Sequence, residues 1–415
     1  VIGVAFDADV GTLTFYKNGV SQGVAFSGLT SGPYFPACGV LSSTNLNINA
    51  GQRAFAYTAP ADHKCLVSTN LPVTNGIGAS ASTQASDYFN PVLYTGTGAS
   101  LSVTGVGFQP GLTWIKGRSG ATNHSLYDAV RGVQNQLESN TTTAETTQTT
   151  GLTTFGSDGF TVGSLAQLNT NTATYVAWNW NAGGSTVTNT AGTISAQVRA
   201  STTSGCSVLT YTGNGISGAT IGHGLGVAPS FYVVKNRGSA AKDWECYHIS
   251  LGNTNRIRLN LTAAADTGGT MWANTSPTST VFSVGSDADV NASTNTYVAY
   301  CFAPVAGYSA FGSYTGNASA ADGPFIYTGF RPAYVLIKRS SAVESWCLMD
   351  SKREGYNVDN DPLFAHLSNA EGTQDFLDLL SNGFKLRSTD TGVNGSGTYI
   401  YAAFAESPFK YSLAR

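Results

Sequence analysis

Charge is scarce in this chain. Only 11% of its 415 residues are Asp, Glu, Lys or Arg, less than half the roughly 25% of an ordinary soluble domain. Twenty-one Lys and Arg face 24 Asp and Glu, for a net charge of −3. That leaves too few cations for a nucleic-acid binder held by phosphate contacts, and it removes the charged flanks that a coiled-coil seam requires. Histidine occurs five times and methionine twice. The six cysteines are Cys38, Cys65, Cys206, Cys246, Cys301 and Cys347. No two lie within four residues of each other, so there is no CxxC metal or redox spacing. They are also too sparse for a disulfide scaffold, and read as small buried apolar residues made in a reducing cytoplasm. No apolar run approaches the roughly 20 residues of a membrane-spanning helix. No signal peptide opens the sequence. Val1 to Phe6 already reads as a core strand, which predicts that the chain is a piece of a longer polypeptide. What is plentiful is glycine (48) and aromatics (20 Tyr, 20 Phe), within a chain that is 41% hydrophobic. That balance supports a core built from strands and tight turns rather than helices.

The sequence repeats itself. Thr174-Tyr175-Val176-Ala177-Trp178-Asn179-Trp180 recurs as Thr296-Tyr297-Val298-Ala299-Tyr300-Cys301-Phe302 and again as Thr398-Tyr399-Ile400-Tyr401-Ala402-Ala403-Phe404. Phe160, Phe282 and Phe384 each precede the Tyr by 15 residues. Upstream stands a Pro with a Lys six residues on: Pro110/Lys116, Pro229/Lys235 and Pro332/Lys338. Apolar pairs lie between them (Trp114-Ile115, Val233-Val234, Leu336-Ile337), and a Tyr-Thr-Gly begins at Tyr94, Tyr211 and Tyr314. Four landmarks in one order, three times, predict three copies of one domain. The runs are short, β-branched or aromatic, and bounded by Gly or Asn. Asp158-Gly159 and Asn382-Gly383 are hairpin turns; the second copy lacks this dipeptide, so a different turn is expected there. Asn140 to Thr154 holds nine Thr in fifteen residues, which suits either an exposed strand or a contact surface. Gln374 to Leu380 has room for one or two helical turns at most.

The first 60 residues differ. Gly3-Val4-Ala5-Phe6-Asp7, Leu13-Thr14-Phe15-Tyr16-Lys17-Asn18-Gly19, Tyr34-Phe35-Pro36-Ala37 and Gly51-Gln52-Arg53-Ala54-Phe55 resemble the C-terminal half of a SPRY domain. The resemblance implies a concanavalin-like β-sandwich that binds protein or peptide partners through its loops, without catalysis. Strands are expected through Phe26, at Tyr34–Ala37 and at Leu46–Asn49. The rest resembles the tandem β-repeat region of virion proteins from tailed phages of aquatic bacteria. The residues that carry this are Ile221 to Pro229, Val233-Val234-Lys235-Asn236-Arg237, Phe311 to Asn317, Tyr327 to Pro332, Phe384-Lys385-Leu386-Arg387 and Thr398 to Glu406. It implies a structural or fibre-like part of a phage particle. The organisation expected is all-β: a partial SPRY-like sandwich over 1–58, a linker over 59–75, and three related β-sandwich domains in a row over 76–184, 185–304 and 305–415.

Chemistry-bearing constellations are few. No G-x-S-x-G, HExxH or P-loop is present. His223 between Gly222 and Gly224 reads as a turn residue with its ring on a carbonyl rather than as a general base. Asp7/Asp9 and Asp287/Asp289, two apart, would face one way on a strand. Calcium wants six to eight oxygens, however, and a solvent-facing edge or turn is the preferred reading. The repeated basic residues Lys116/Arg118, Lys235/Arg237 and Lys338/Arg339 follow an apolar strand. They are either solvated strand ends or contacts for acidic host glycans and phosphate. Trp178 and Trp180 read as core. Trp272, in a variable loop, is the exposed candidate for stacking on a sugar. Neither catalytic, cofactor nor metal residues are assigned.

The function expected is a non-enzymatic virion appendage, a tail fibre or spike that attaches to the host surface. Its partners would be itself, as a homotrimer by analogy with phage fibres, other virion proteins, and a host-surface glycan or protein. Nucleic acid and membrane insertion are not among them. Its place is the virion, after assembly in the host cytoplasm. The alternatives are a capsid-attached fibre or decoration protein, a tailspike that cleaves bacterial polysaccharide with two acidic residues, and a secreted bacterial adhesin.

Overall fold

The computed structural model describes residues 1–7, 9–29, 47–50, 53–61, 63, 65, 77, 83–268, 270–353, 357 and 361–406. The chain divides into two compact units, Val1–Thr74 and Asn75–Arg415.

In the first unit, β1 (Ile2–Asp7), β2 (Thr12–Lys17) and β3 (Val20–Phe26) form an antiparallel sheet in that order. Asp7 makes the first turn by accepting the backbone N–H groups of Asp9 and Val10. Asn18 and Gly19 make the second at φ 51° and 82°, the left-handed conformation for which Asn-Gly is suited. The strand expected at Tyr34–Ala37 lies outside the described residues. Among the described residues, Asn47–Asn49 form no strand.

The second unit is all-β apart from single helical turns, α1 (Ala166–Asn169) and α2 (Ala288–Asn291), and a 3-10 turn at Ala85–Asp87. Its first repeat contains β4 (Phe89–Thr95), β5 (Leu101–Thr104), β6 (Leu112–Gly117), β7 (Ser125–Asp128), β8 (Gly132–Glu138), β9 (Thr146–Thr147), β10 (Leu152–Gly156), β11 (Gly159–Val162) and β12 (Thr174–Trp180). The second contains β13 (Val187–Asn189), β14 (Ala196–Ser201), β15 (Cys206–Thr212), β16 (Ala219–Gly222), β17 (Phe231–Asn236), β18 (Trp244–His248), β19 (Ile257–Arg258), β20 (Val281–Val284) and β21 (Thr296–Phe302). The third contains β22 (Ser309–Gly316), β23 (Phe325–Tyr327), β24 (Pro332–Arg339), β25 (Trp346–Asp350), β26 (Leu363–Phe364), β27 (Leu377–Leu380), β28 (Gly383–Leu386) and β29 (Gly397–Ala405).

The repeats share one topology. Large sheets run β4-β12-β6-β7-β8-β9, β13-β14-β15-β21-β17-β18-β19 and β22-β29-β24-β25-β26; small sheets run β5-β11-β10, β16-β20 and β23-β28-β27. Each repeat is thus a sandwich. Repeat two, which lacks the Asp-Gly or Asn-Gly turn, has only two strands in its small sheet. Leu377–Leu380 is a strand, not the helical turns expected there.

Repeats one and two keep apolar clusters of their own, but the sandwiches are also joined. One apolar cluster takes Trp114, Trp178 and Trp180 from the first repeat, Phe231, Val233 and Phe302 from the second, and Tyr334, Leu336 and Phe404 from the third. Trp180, Phe302 and Phe404, at one repeat position, meet as a triangle with ring centroids 6.0, 5.6 and 5.5 Å apart. A small apolar cavity of about 30 Å³ lies beside them. The large sheets are therefore covered twice, by their own small sheet and by the other repeats. This is why β6 and β17 are buried at every residue, the polar Thr113, Lys116, Lys235 and Asn236 included.

Candidate functional site: the joints between repeats

Within each repeat the recurring Tyr is a lock. Tyr175 Oη accepts from Thr170 N (2.9 Å) and donates to Ala166 O (3.1 Å). Tyr297 Oη does the same with Ala292 N and Ala288 O, and Tyr399 Oη donates to Thr391 O. Each stacks on the Tyr of the Tyr-Thr-Gly motif, at 5.0, 5.0 and 4.9 Å between centroids. The motif's glycine lets the locked loop approach: a Cβ on Gly96, Gly213 or Gly316 would collide with the carbonyl oxygen of Thr170, Ala292 or Gly395. Buried Asn169, Asn291 and Asn394 complete the lock, their side chains bridging the same two loops.

Between repeats the contacts form a closed cycle. Trp244 and Trp346 stand opposite Lys235 and Lys338 of the neighbouring strand, and His124 takes the equivalent place one residue before the paired Ser125. Trp244 Nε1 donates to Glu138 O of repeat one (2.9 Å), and Trp346 Nε1 to Arg258 O of repeat two (2.8 Å). His124 Nε2 donates to Phe364 O of repeat three (3.0 Å). Its tautomer is fixed, because Nδ1 accepts from Trp114 Nε1.

A second ring of contacts follows the same cycle. Arg237 grips Glu145 with two nitrogens (2.9 and 2.7 Å) while Glu145 N donates to Arg237 O. Arg118 grips Glu371 (3.0 and 2.8 Å), and Glu371 N donates to Arg118 O. At the third joint backbone bonds suffice, from Ala265 N to Ser340 O and from Glu344 N to Thr262 O. A third ring is buried. Asp128 pairs with Arg131 and accepts Tyr300 Oη from repeat two. Asp350 pairs with Arg353 and accepts Trp178 Nε1 from repeat one. In repeat two His248 and Leu251 stand instead, and His248 Nε2 donates to Tyr401 O of repeat three (3.1 Å).

Residues 84–408, which span all three repeats, match the family model described as a domain of unknown function, DUF7483. The chain belongs to the DUF7483 family. Residues 1–53 match the SPRY domain model, which fits a concanavalin-like sandwich there. No curated protein matches the chain.

The DUF7483 region places the sequence-derived candidates inside its joints. Lys116, Lys235 and Lys338 are 0% exposed, a correction to their reading as surface anion contacts. Lys116 Nζ donates to Gly117 O, Lys235 Nζ to Lys242 O and Thr142 O, and Lys338 Nζ to Arg339 O and Thr262 O. Burial pulls each ammonium down to about 8. The strand ends do not emerge into water, because the neighbouring repeat's segment lies over them. Arg118 and Arg237 are held in ion pairs. Arg339 donates to Ser396 O and lies 5.9 Å from the Tyr399 ring centroid. Trp272 is also a correction: it is 0% exposed, donates to Asn255 O, and packs on Tyr232 in the core of repeat two, whose small sheet lacks a third strand. The Thr-rich segment forms β9 and carries Glu145 into a joint. His223 is a turn residue whose Nδ1 accepts from Leu225 N and whose Nε2 donates to Thr278 O.

Among the described residues, Asp243, Glu245 and Asp289 bring carboxylate oxygens within 4.8 Å of one another. Arg256 and Arg258 lie 3.1 and 3.4 Å from Glu245, and Lys242 lies 3.4 Å from Asp289. The three acidic side chains thus face three cationic ones. Burial raises Glu245 to about 8 against the pull of both arginines. Asp287 is the N-cap of α2, accepting Asp289 N, so the Asp287/Asp289 spacing marks a helix start. The sequence reading missed the Asn169 set, the His124 set and the Asp–Arg pairs. Their signal was spacing: an Asn five or six residues before each lock Tyr, and a ring eight or nine after each Lys.

Proposed function

We propose that this chain is a structural component of a phage virion, a non-enzymatic tail-fibre or spike-like appendage that attaches to the host surface. The observation that supports this reading is the use of charged and N–H-bearing side chains that are buried or half-buried. His124, Trp244, Trp346, Arg118, Arg237, Asp128 and Asp350 are all committed to holding repeats together. A body so cross-braced suits transmission of force and presentation of surfaces. Several weak surface contacts, repeated over chains, give avidity without a deep pocket. The proposed partners are other virion proteins, further copies of the chain, and a host glycan or protein. Three chains, if they associate, join outside the joints already closed within each chain, and light scattering reads that stoichiometry. The deciding experiment is gold labelling of intact particles with antibody against this chain, together with competition of adsorption by the purified protein. Labelled appendages and blocked adsorption are expected. Unlabelled particles, or release of new reducing ends from host polysaccharide, would overturn the proposal.

A further inference from the structure

The three repeats place the same edge strand in three situations. The register is common to all, because Tyr94, Tyr211 and Tyr314 pair with Tyr175, Tyr297 and Tyr399. Gly96 N and Gly213 N donate inward, to Ala173 O and Asn295 O. Residues an odd number of places away on β4 and β15 therefore direct their backbone groups outward. On β4 this outward set includes Pro91, which has no N–H to offer and blunts the edge. On β15 the outward set is covered by β14 along its length, from Ala196↔Tyr211 to Ser201↔Cys206.

On β22 the outward set is Ser309, Phe311, Ser313 and Thr315. Ser309 N is taken by Val305 O. The remaining three belong to a strand that is terminal in its sheet and carries no charge, proline or bulge, the devices by which free edges are ordinarily protected. The covering segment of repeat two does more than pair with β15. It continues to the small sheet, where Ile194 N donates to Thr220 O and Thr193 Oγ1 accepts Thr220 N. Its residues Ile194, Ala196 and Val198 are buried in that repeat's own core. In repeat three β23 takes the place of β16, is likewise terminal, and exposes Phe325 (45%) and Tyr327 (68%).

We propose that the open edge of β22, continued by β23, is a docking site for an extended segment of a partner polypeptide. The segment adds antiparallel to β22 and turns alternate apolar side chains toward the core beside Ile326, as Ile194, Ala196 and Val198 do beside Ile221 in repeat two, while its intervening residues lie beside Phe325 and Tyr327 on the exposed face, where Thr193 meets Thr220 in repeat two. A partner segment is favoured over a second copy's β22 by geometry. The two open edges lie in different sheets. One continuous chain bridges their counterparts in repeat two, whereas a strand already fixed in a sheet covers only one. Backbone hydrogen bonds supply affinity in this mode, and the side-chain alternation supplies specificity.

The probe is a labelled synthetic peptide with the sequence of residues 192–202, titrated into the intact protein and followed by fluorescence anisotropy and amide hydrogen exchange. Saturable binding is expected, with exchange slowed at Phe311, Ser313 and Thr315. Ser313→Pro should weaken it at least tenfold at an unchanged urea midpoint, and Tyr327→Ala several-fold. Exchange in the wild-type protein keeps the test decisive if Ser313→Pro fails to fold. Absence of saturable binding overturns the proposal, as does binding indifferent to Ser313→Pro. So does light scattering that shows a dimer with those amides already protected, which would assign the edge to a second copy.

Discussion

Glu245 and the three buried lysines titrate in separate pH windows, and their signs differ. Burial raises Glu245 from 4.5 to about 8. Between those values the folded state keeps a proton that the unfolded chain releases. Its contribution to stability is complete below about pH 4.5 and is lost as pH rises to about 8. Glu245→Gln keeps the neutral shape, so its melting temperature relative to the wild type should climb from pH 5 to pH 8; a pH-independent difference would refute the assignment. The lysines, drawn down from 10.5 to about 8, act oppositely. The unfolded chain holds their protons longer, so stability rises with pH across that interval. Asp350 tests a buried pair directly. Asp350→Ala leaves Arg353 with Glu371 as its remaining carboxylate partner and deprives Trp178 of its acceptor, and should cost about 1–3 kcal/mol in urea unfolding. Asp350→His with Arg353→Leu, the pair found at His248 and Leu251, should recover much of that loss.

The Tyr lock ties the last strand of each repeat to the loop before it and to the opposite Tyr. Tyr175→Phe, Tyr297→Phe and Tyr399→Phe each remove the same hydroxyl from equivalent partners. Each should cost about 1–3 kcal/mol, through loop carbonyls left without a donor. One variant that is neutral while the others are not would break the equivalence of the three elements. Gly213→Ala should cost more than Tyr297→Phe, because its Cβ would press on backbone rather than on a movable side chain. The buried Asn of each lock acts on the same loops.

At the scale of the molecule, the shared cluster predicts that Asn75–Arg415 unfolds as one unit. All six tryptophans lie in it, so tryptophan fluorescence reports it alone. A single transition is expected in denaturant, and Phe302→Ala or Phe404→Ala should lower its free energy by about 3–5 kcal/mol. Removal of residues 305–415 should leave the first two repeats unable to fold, since the aromatic triangle and two of the three joints are lost. Three separate transitions, or a stable two-repeat fragment, would contradict the common core.

Much of the fold was legible in the sequence because it is written in local pattern. Period-two runs, Asn-Gly turns and the recurring Tyr, Phe, Pro and Lys specify strands, hairpins and a thrice-used sandwich without reference to anything distant. The SPRY-like start was legible for the same reason. The fate of polar side chains was not. Whether Lys235 meets water or Thr142 O, and whether Trp272 meets sugar or Tyr232, depends on segments 93 or about forty residues away in the chain. Local sequence sets which residues alternate across a sheet. Only the closing of three sheets on one another decides that both faces are interior, and burial then turns charges that would have been solvated into the joints of the molecule.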